Sequence, residues 1–227
     1  MISLLAIGPE GSPIPAQNFE EERRRMVAQQ IERRGICDRR VLGAMREVPR
    51  HEFVPTAARA RSYRDQPLPI GFGQTISQPY IVAFMLEHLR LRSTDRVLEV
   101  GTGSGYQAAV LSKLVAQVFS IEILDELIHR ATGDLQRLGY RNILVKCSDG
   151  YQGWPEFAPF DAITVAAAPD HIPQPLIGQL REGGRMVIPV GDTFDQDLLL
   201  IEKLPGALRK RVMCPVRFVP FTRKGGN

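Results

Sequence analysis

Three glycines at alternate positions, Gly101, Gly103 and Gly105, are the residues whose type and spacing point most directly to chemistry. They sit in the run Val97-Leu98-Glu99-Val100-Gly101-Thr102-Gly103-Ser104-Gly105-Tyr106. A turn without Cβ atoms lets a ligand approach the backbone, and a helix N-terminus beyond it offers free N–H groups. A nucleotide-like cofactor suits such a turn, with Thr102 among its contacts. The spacing says which kind. A dinucleotide pyrophosphate is cradled by Gly-x-Gly-x-x-Gly, but here Tyr106 stands where that third glycine belongs. Glu99, just ahead of the turn, would repel a pyrophosphate and favour a cation. S-adenosylmethionine carries a sulfonium and an ammonium group and fits that charge. Taken alone, the glycines also read as a simple tight turn; their flanking elements and Glu122 favour the cofactor.

A second set of polar groups lies upstream, in Gly73-Gln74-Thr75-Ile76-Ser77-Gln78-Pro79. The segment from Tyr63 to Pro79 is too rich in Pro and Gly for a helix or an inner strand, yet too apolar for an exposed linker. It reads as a substrate-binding lid in which Gln74, Thr75 and Ser77 supply amide and hydroxyl groups. Ser77 reads equally as the N-cap of a helix over Pro79 to Leu91. Asp149 suits an adenine amino group or an Asp-Gly turn with Gly150. His51 has no nucleophile spaced to partner it, so a surface or capping role is expected. The Arg23-Arg24-Arg25 run reads as a solvated helix face rather than a phosphate site.

The elements that must position these groups are legible in outline. Arg96 to Val100 reads as a buried strand, and Tyr106 to Val118 as a helix with Ala108, Ala109, Leu111, Leu114 and Val115 inward. Val118 to Glu122 is a second strand, and an acid at its end commonly bonds ribose hydroxyls. Further alternation follows: a helix over Leu124 to Leu138, strands at Asn142 to Lys146 and Phe160 to Val165, a short helix over Pro175 to Leu180, and a strand at Gly184 to Val190. A final antiparallel pair is expected at Leu198 to Lys203 and Arg211 to Val219. Upstream, helices are expected over Phe19 to Arg34, closed by Gly35, and over Arg39 to Glu47, capped by Asp38. Such alternation predicts an α/β fold, doubly wound, with a mostly parallel sheet and helices on both faces. Ligands then bind at the carboxyl ends of the strands, where the glycines, Glu122, Asp149 and Ala166 to Ala168 would converge.

The chain has 227 residues and a formal charge of +4, ordinary for a globular protein. No dense basic block with aromatics argues for nucleic acid, and no apolar run is long enough to span a bilayer. Cys37, Cys147 and Cys214 lie far apart, which suggests a reducing compartment without a disulfide framework or zinc site. A cytoplasmic monomer is the expectation. Residues 1–17 read as a disordered extension. Residues 18–227 read as one domain, with a helical and substrate-loop part over 18–92 and the cofactor sheet with its last strands over 93–227.

The cofactor segment VLEVGTGSGYQAAVLS resembles the class I S-adenosylmethionine-dependent methyltransferases. With the loop Leu68-Pro69-Ile70-Gly71 and Gly73-Gln74-Thr75-Ile76-Ser77-Gln78-Pro79, the resemblance narrows to the protein-L-isoaspartate O-methyltransferases. It extends over about residues 20–222, with support from Pro49-Arg50, Phe53-Val54-Pro55, Gly183-Gly184-Arg185 and Val216-Arg217-Phe218-Val219-Pro220. The resemblance implies a seven-stranded Rossmann-like methyltransferase sheet. It implies methyl transfer to the free α-carboxyl of L-isoaspartyl residues in damaged protein. The ester then collapses to a succinimide that hydrolyses partly to aspartate. The family's active-site serine falls on Ser77, and its cofactor residues on Glu99, Gly101, Gly103, Gly105, Glu122, Asp149 and Gly150. A peptide groove is implied from Gln74, Thr75, Ile76 and the stretch containing Val216, Phe218 and Val219. Some animal members carry a His five positions after the serine, where this chain has Val82. Arg223 to Asn227 look like an addition and receive no role.

The chemistry agrees with the residues. A carboxylate, with a pKa of about 4, is already ionised and needs orientation rather than a base. No catalytic His, Cys or metal is therefore expected. The loop Ala166-Ala167-Ala168-Pro169 lacks the side-chain acceptors that an amine methyltransferase would use. A nucleic-acid methyltransferase using Arg23 to Arg25 and Arg209 to Arg211 is an alternative. A non-catalytic module that binds cofactor and recognises carboxylates is another.

Overall fold

The computed structural model describes residues 18–223. The expected disordered extension, 1–17, lies outside the described residues, as do residues 224–227. The first helix, α1 (Phe19–Met26), starts at Asn18, whose side chain accepts the Glu21 N–H. Its path continues through a π-helical segment, Val27–Ile31, and a 3₁₀ turn, Glu32–Arg34, before Gly35 closes it at φ +97°. The expected single helix over this span is thus three helical types in series. Arg24 and Arg25 pair with Glu20 and Glu21 one turn back, so the basic run is a charge-paired face. In α2 (Arg39–Glu47), Asp38 caps as expected, its carboxylate accepting the Arg40 and Val41 N–H groups.

Where a lid loop is expected, the chain forms a hairpin. Strand β1 (Leu68–Gly71) pairs antiparallel with β2 (Gln74–Ile76). Its tip, Gly71-Phe72-Gly73, has three successive residues at positive φ, including Phe72 at +55°. Helix α3 (Pro79–Leu89) follows, with Gln78 as its N-cap and no side-chain cap from either Gln78 or Ser77. Asp65, from the preceding segment, accepts the Tyr80 N–H instead. The expected capping role for Ser77 is therefore corrected: a carboxylate 15 residues upstream takes it.

The remaining chain is β3 (Arg96–Val100), α4 (Tyr106–Ser112), β4 (Gln117–Glu122), α5 (Asp125–Arg137), β5 (Ile143–Cys147), β6 (Phe160–Val165), α6 (Gln174–Gln179), β7 (Leu180–Gly191), β8 (Gln196–Leu204) and β9 (Ala207–Val216). Helix α4 is shorter than its apolar stripe suggests. Asn142 donates its side-chain amide to the carbonyls of Ser112 and Val115, closing the helix end from 30 residues away. The seven strands run in the order β5-β4-β3-β6-β7-β8-β9. Neighbours from β5 to β7 are parallel, and β8 runs antiparallel between β7 and β9. Strand alternation puts Val97, Val118 and Ala162 in one core with residues of α2 to α5. It puts Leu98, Val100, Phe119 and Ile163 in a second core with α6 and Trp154. The order reverses direction at β3 and β6, which opens a crevice at their carboxyl ends.

Candidate active site

The crevice is a cleft of about 790 Å³ at the ends of β3, β4 and β6. Gly101, Thr102, Gly103, Glu122 and Gly150 line it, with Gln74, Thr75, Ile76 and Ser77 from the hairpin side. The three turn glycines have φ of +96°, +52° and +84°, in chain order. They do not share one task. Gly105 faces away from the cleft, where an added Cβ would lie 3.3 Å from Leu135 Cγ of α5. It lets two helices pack rather than a ligand approach. At Gly150 an added Cβ would sit 2.3 Å from Val100 Cγ1, so no other residue fits beside the end of β3 without a shift.

Among the described residues that line the cleft, Glu122 is the one carboxylate and there is no Lys, Arg, His or Cys. Such a wall suits a cation and opposes a pyrophosphate. Glu122 also fastens the turn. Its Oε2 accepts the Gly103 N–H at 2.8 Å, and its Oε1 accepts those of Ile123 and Leu124 at 2.8 and 3.1 Å.

Glu99, expected to face the cofactor, is fully buried and does not line the cleft. Alternation along β3 turns it into the core, in register between Ser120 of β4 and Thr164 of β6. Ser120 Oγ donates to Glu99 Oε2 at 2.5 Å and lies 2.6 Å from Thr102 Oγ1. With no cation beside it, burial pushes the Glu99 carboxyl up to about 8, and neighbouring Glu122 adds to the shift. Glu99 is thus a buried prop behind the glycine turn, linked to Thr102 through the Ser120 hydroxyl. Asp149 is also off the cleft wall. Its Oδ1 accepts the Tyr151 N–H at 2.9 Å, the turn expected for Asp-Gly. His51, expected at the surface or as a cap, is partly buried instead. It stacks on Phe19 at 4.1 Å and pairs through Nδ1 with the Tyr63 hydroxyl at 2.7 Å, and it does not line the cleft. Burial holds its pKa below the ordinary value.

A second groove, of about 990 Å³, opens on the other side of the hairpin. Val216, Phe218 and Val219 line it, together with Pro67, Gln78 and Ile81. Gln196 holds this wall: its side-chain carbonyl accepts the Phe218 N–H at 2.7 Å and its amide donates to the Phe218 carbonyl at 3.3 Å. Thr75, Ser77, Ala166 and Val219 line both the cleft and the groove. Among the described residues the Ser77 hydroxyl has no hydrogen-bond partner in the protein. Two hydroxyl side chains therefore stand where the two spaces meet.

Beyond the expected groove residues, the C-terminal segment forms a strap. After β9 the chain crosses the sheet ends, where Ala168 donates to the Val219 carbonyl and accepts the Phe221 N–H, both at 2.9 Å. Pro220, Phe221 and Thr222 thereby close one side of the cleft. Arg223, expected to have no role, fastens the end of the strap. Its guanidinium lies 3.8 Å from the centre of the Tyr151 ring, and its Nε is 3.4 Å from Asp149 Oδ2. Val82, where some relatives carry His, is buried in the cleft wall.

Comparison with known proteins decides the family. The sequence model for protein-L-isoaspartate(D-aspartate) O-methyltransferase (PCMT) matches residues 21–226. The chain belongs to this family. It is 54% identical over 209 residues to protein-L-isoaspartate O-methyltransferase 1 of Syntrophobacter fumaroxidans, covering 92% of this chain and 98% of that one. It is 53% identical over 200 residues to the Gloeobacter violaceus protein-L-isoaspartate O-methyltransferase, covering 88% and 98%. Among solved structures, a protein-L-isoaspartate O-methyltransferase superposes with a TM-score of 0.81 at 32% identity, over 90% of this chain and 67% of that one. A Plasmodium falciparum beta-aspartate methyltransferase (PCMT) in complex with S-adenosyl-L-homocysteine superposes with a TM-score of 0.78 at 27% identity, over 91% and 99%. The seven-stranded, mostly parallel sheet is thus the fold of the protein-L-isoaspartate O-methyltransferases. No helix among the described residues is long and apolar enough to cross a membrane.

Proposed function

We propose that the protein moves a methyl group from S-adenosylmethionine to the free α-carboxyl of L-isoaspartyl residues in damaged proteins and peptides. One observation carries the reading: Thr75 and Ser77 line both spaces, so a donor in the cleft and an acceptor in the groove meet at two hydroxyl groups. When bound, S-adenosylmethionine supplies an electrophilic methyl group on sulfur and leaves as S-adenosylhomocysteine. Gly101, Gly103 and Gly150 line the space that receives it, and Glu122 balances its positive charge. Thr102 and Ser120 link that floor to Glu99, which shapes the turn from below. The Ser77 and Thr75 hydroxyls donate to one oxygen of the acceptor carboxylate and leave the other aimed at the methyl carbon. The acceptor is ionised at neutral pH, so the absence of His and Cys from the lining is no obstacle. Apolar neighbours, Ile76, Val82 and Val219, strip water from the carboxylate, which sharpens its attack.

The protein is proposed to act as a monomer in the cytoplasm, with residues 18–227 as one catalytic unit. Both spaces are built within one chain, which supports that reading. No nucleic-acid partner is proposed, since Arg24 and Arg25 are already paired on their own helix. The test is methyl transfer from labelled S-adenosylmethionine to two peptides that differ only in carrying isoaspartate or aspartate. Base-labile label on the isoaspartyl peptide alone is expected. Label on RNA and on neither peptide would overturn the reading.

A further inference from the structure

The groove carries a charge that the transfer chemistry does not require. Of the residues lining it, Arg217 alone is charged, and it does not line the cofactor cleft. It is exposed, and among the described residues it forms no ion pair or hydrogen bond. No carboxylate among the described residues pairs with it. Asp65 touches Gln78 of the groove wall, but it is paired with Arg34 at 2.5 Å and also accepts the Gln78 amide at 2.7 Å. Asp197 stands opposite Pro215 across the β8–β9 ladder and forms no ion pair with Arg217. The rest of the lining is neutral, with Pro67, Val216 and Phe218 typical of it. A chain lying in this groove with its acceptor carboxylate at Ser77 therefore passes one uncompensated positive charge away from the reacting atoms.

We propose that Arg217 sets substrate preference, favouring isoaspartyl sites with acidic side chains beside them and disfavouring basic ones. The inference rests on the isoaspartyl reading given above and names which damaged segments the same site takes best. Arg217 contacts the flank and not the acceptor, because the acceptor must lie where cleft and groove join, at Thr75 and Ser77. Its guanidinium is solvent-exposed, so the preference is modest, screened by salt and expressed in binding rather than in the chemical step.

The test uses three isoaspartyl peptides identical except for Glu, Ala or Lys at the positions flanking the isoaspartate, assayed at low salt with the full-length protein. The expected order of kcat/KM is Glu over Ala over Lys, with about threefold per step, carried by KM while kcat stays level. The spread should shrink in about 0.5 M salt, where screening is strong. Arg217→Ala should flatten the series, Arg217→Glu should reverse it, and Arg217→Lys should keep its direction. Equal kcat/KM for the three peptides with the native protein would overturn the proposal. So would an equal loss on all three in Arg217→Ala, which would place the guanidinium on the acceptor carboxylate instead. The Ala peptide separates this result from a deeper failure: if it is not methylated at all, the isoaspartyl reading falls and the proposal falls with it.

Discussion

The cleft sits at the ends of three parallel strands and includes the glycine turn, whereas the groove lies between the hairpin, the entry to α3 and the chain from the end of β9 onward. The difference shows in what each wall tolerates. At the cleft, backbone approach sets the shape, and at Gly150 a single added carbon would lie 2.3 Å from Val100. At the groove, Phe218 is held by one glutamine side chain and Arg217 is held by nothing among the described residues. A methyltransferase needs its cofactor site to be fixed and its substrate site to admit many protein segments. Rigid strand ends under the cofactor and replaceable side chains beside the peptide divide the molecule along that line.

The sharpest way to break this comparison is to change the floor of the cleft. Burial lifts the Glu99 carboxyl to about 8 in the folded protein, against 4.5 for the ordinary group. As pH rises between those values, the unfolded chain releases this proton while the folded protein retains it. Stability therefore falls with pH across the window, by up to about 1.4 kcal/mol per pH unit, and levels off above it. Glu99→Gln removes that slope. Denaturant melts at pH 5, 6.5 and 8 should show the variant gaining on the native protein as pH rises; parallel curves would refute a buried neutral acid there.

Gly103→Val comes next. The position has φ +52°, which costs a β-branched residue about 1–2 kcal/mol, and it lines the cleft beside Ile70, whose Cδ1 an added Cβ would approach to 3.6 Å, so the larger side chain would displace the turn. Calorimetry should show S-adenosylhomocysteine affinity reduced at least about 100-fold, and a dissociation constant within threefold of native would show that the turn does not touch the ligand. Ser77→Ala acts on the shared wall. Losing a hydrogen bond to a charged acceptor costs about 1.5–3 kcal/mol, so isoaspartyl turnover should fall at least about tenfold while cofactor affinity holds. Unchanged turnover would reduce Ser77 to a bystander. The smallest effect belongs to Arg223→Ala. An exposed ion pair and a ring contact together justify a rise of about threefold in the cofactor dissociation constant, with melting temperature little changed. No change in cofactor release would mean that the strap closes the cleft without its last residue.

Legibility in the sequence follows the same division. The glycine turn, Glu122 and the strand–helix alternation were readable because local spacing decides them. Asp38 and Gly35 marked helix ends for the same reason. What was not readable depends on residues distant in sequence. The Pro- and Gly-rich stretch hid the β1–β2 hairpin, since Gly71, Phe72 and Gly73 all take left-handed conformations at its tip. Asp65 took the capping role that adjacency suggested for Ser77, and Asn142 ended α4 before its apolar stripe ran out. Glu99 reads as a cofactor residue from its charge; the period-two alternation of β3 puts it on the core face with Val97, behind the glycine turn, a placement the pattern itself discloses. Arg223 looked dispensable because its partners, Asp149 and Tyr151, come from another part of the chain.

The most direct test of the shared wall is the distance from Ser77 Oγ to the α-carboxylate of an isoaspartyl peptide, in a crystal of the protein with that peptide and S-adenosylhomocysteine. The account expects about 2.7 Å, with the peptide along the Val216 to Val219 wall and the cofactor on the Gly101 to Gly103 side. A carboxylate held elsewhere, with the Ser77 hydroxyl out of hydrogen-bond reach, would contradict it.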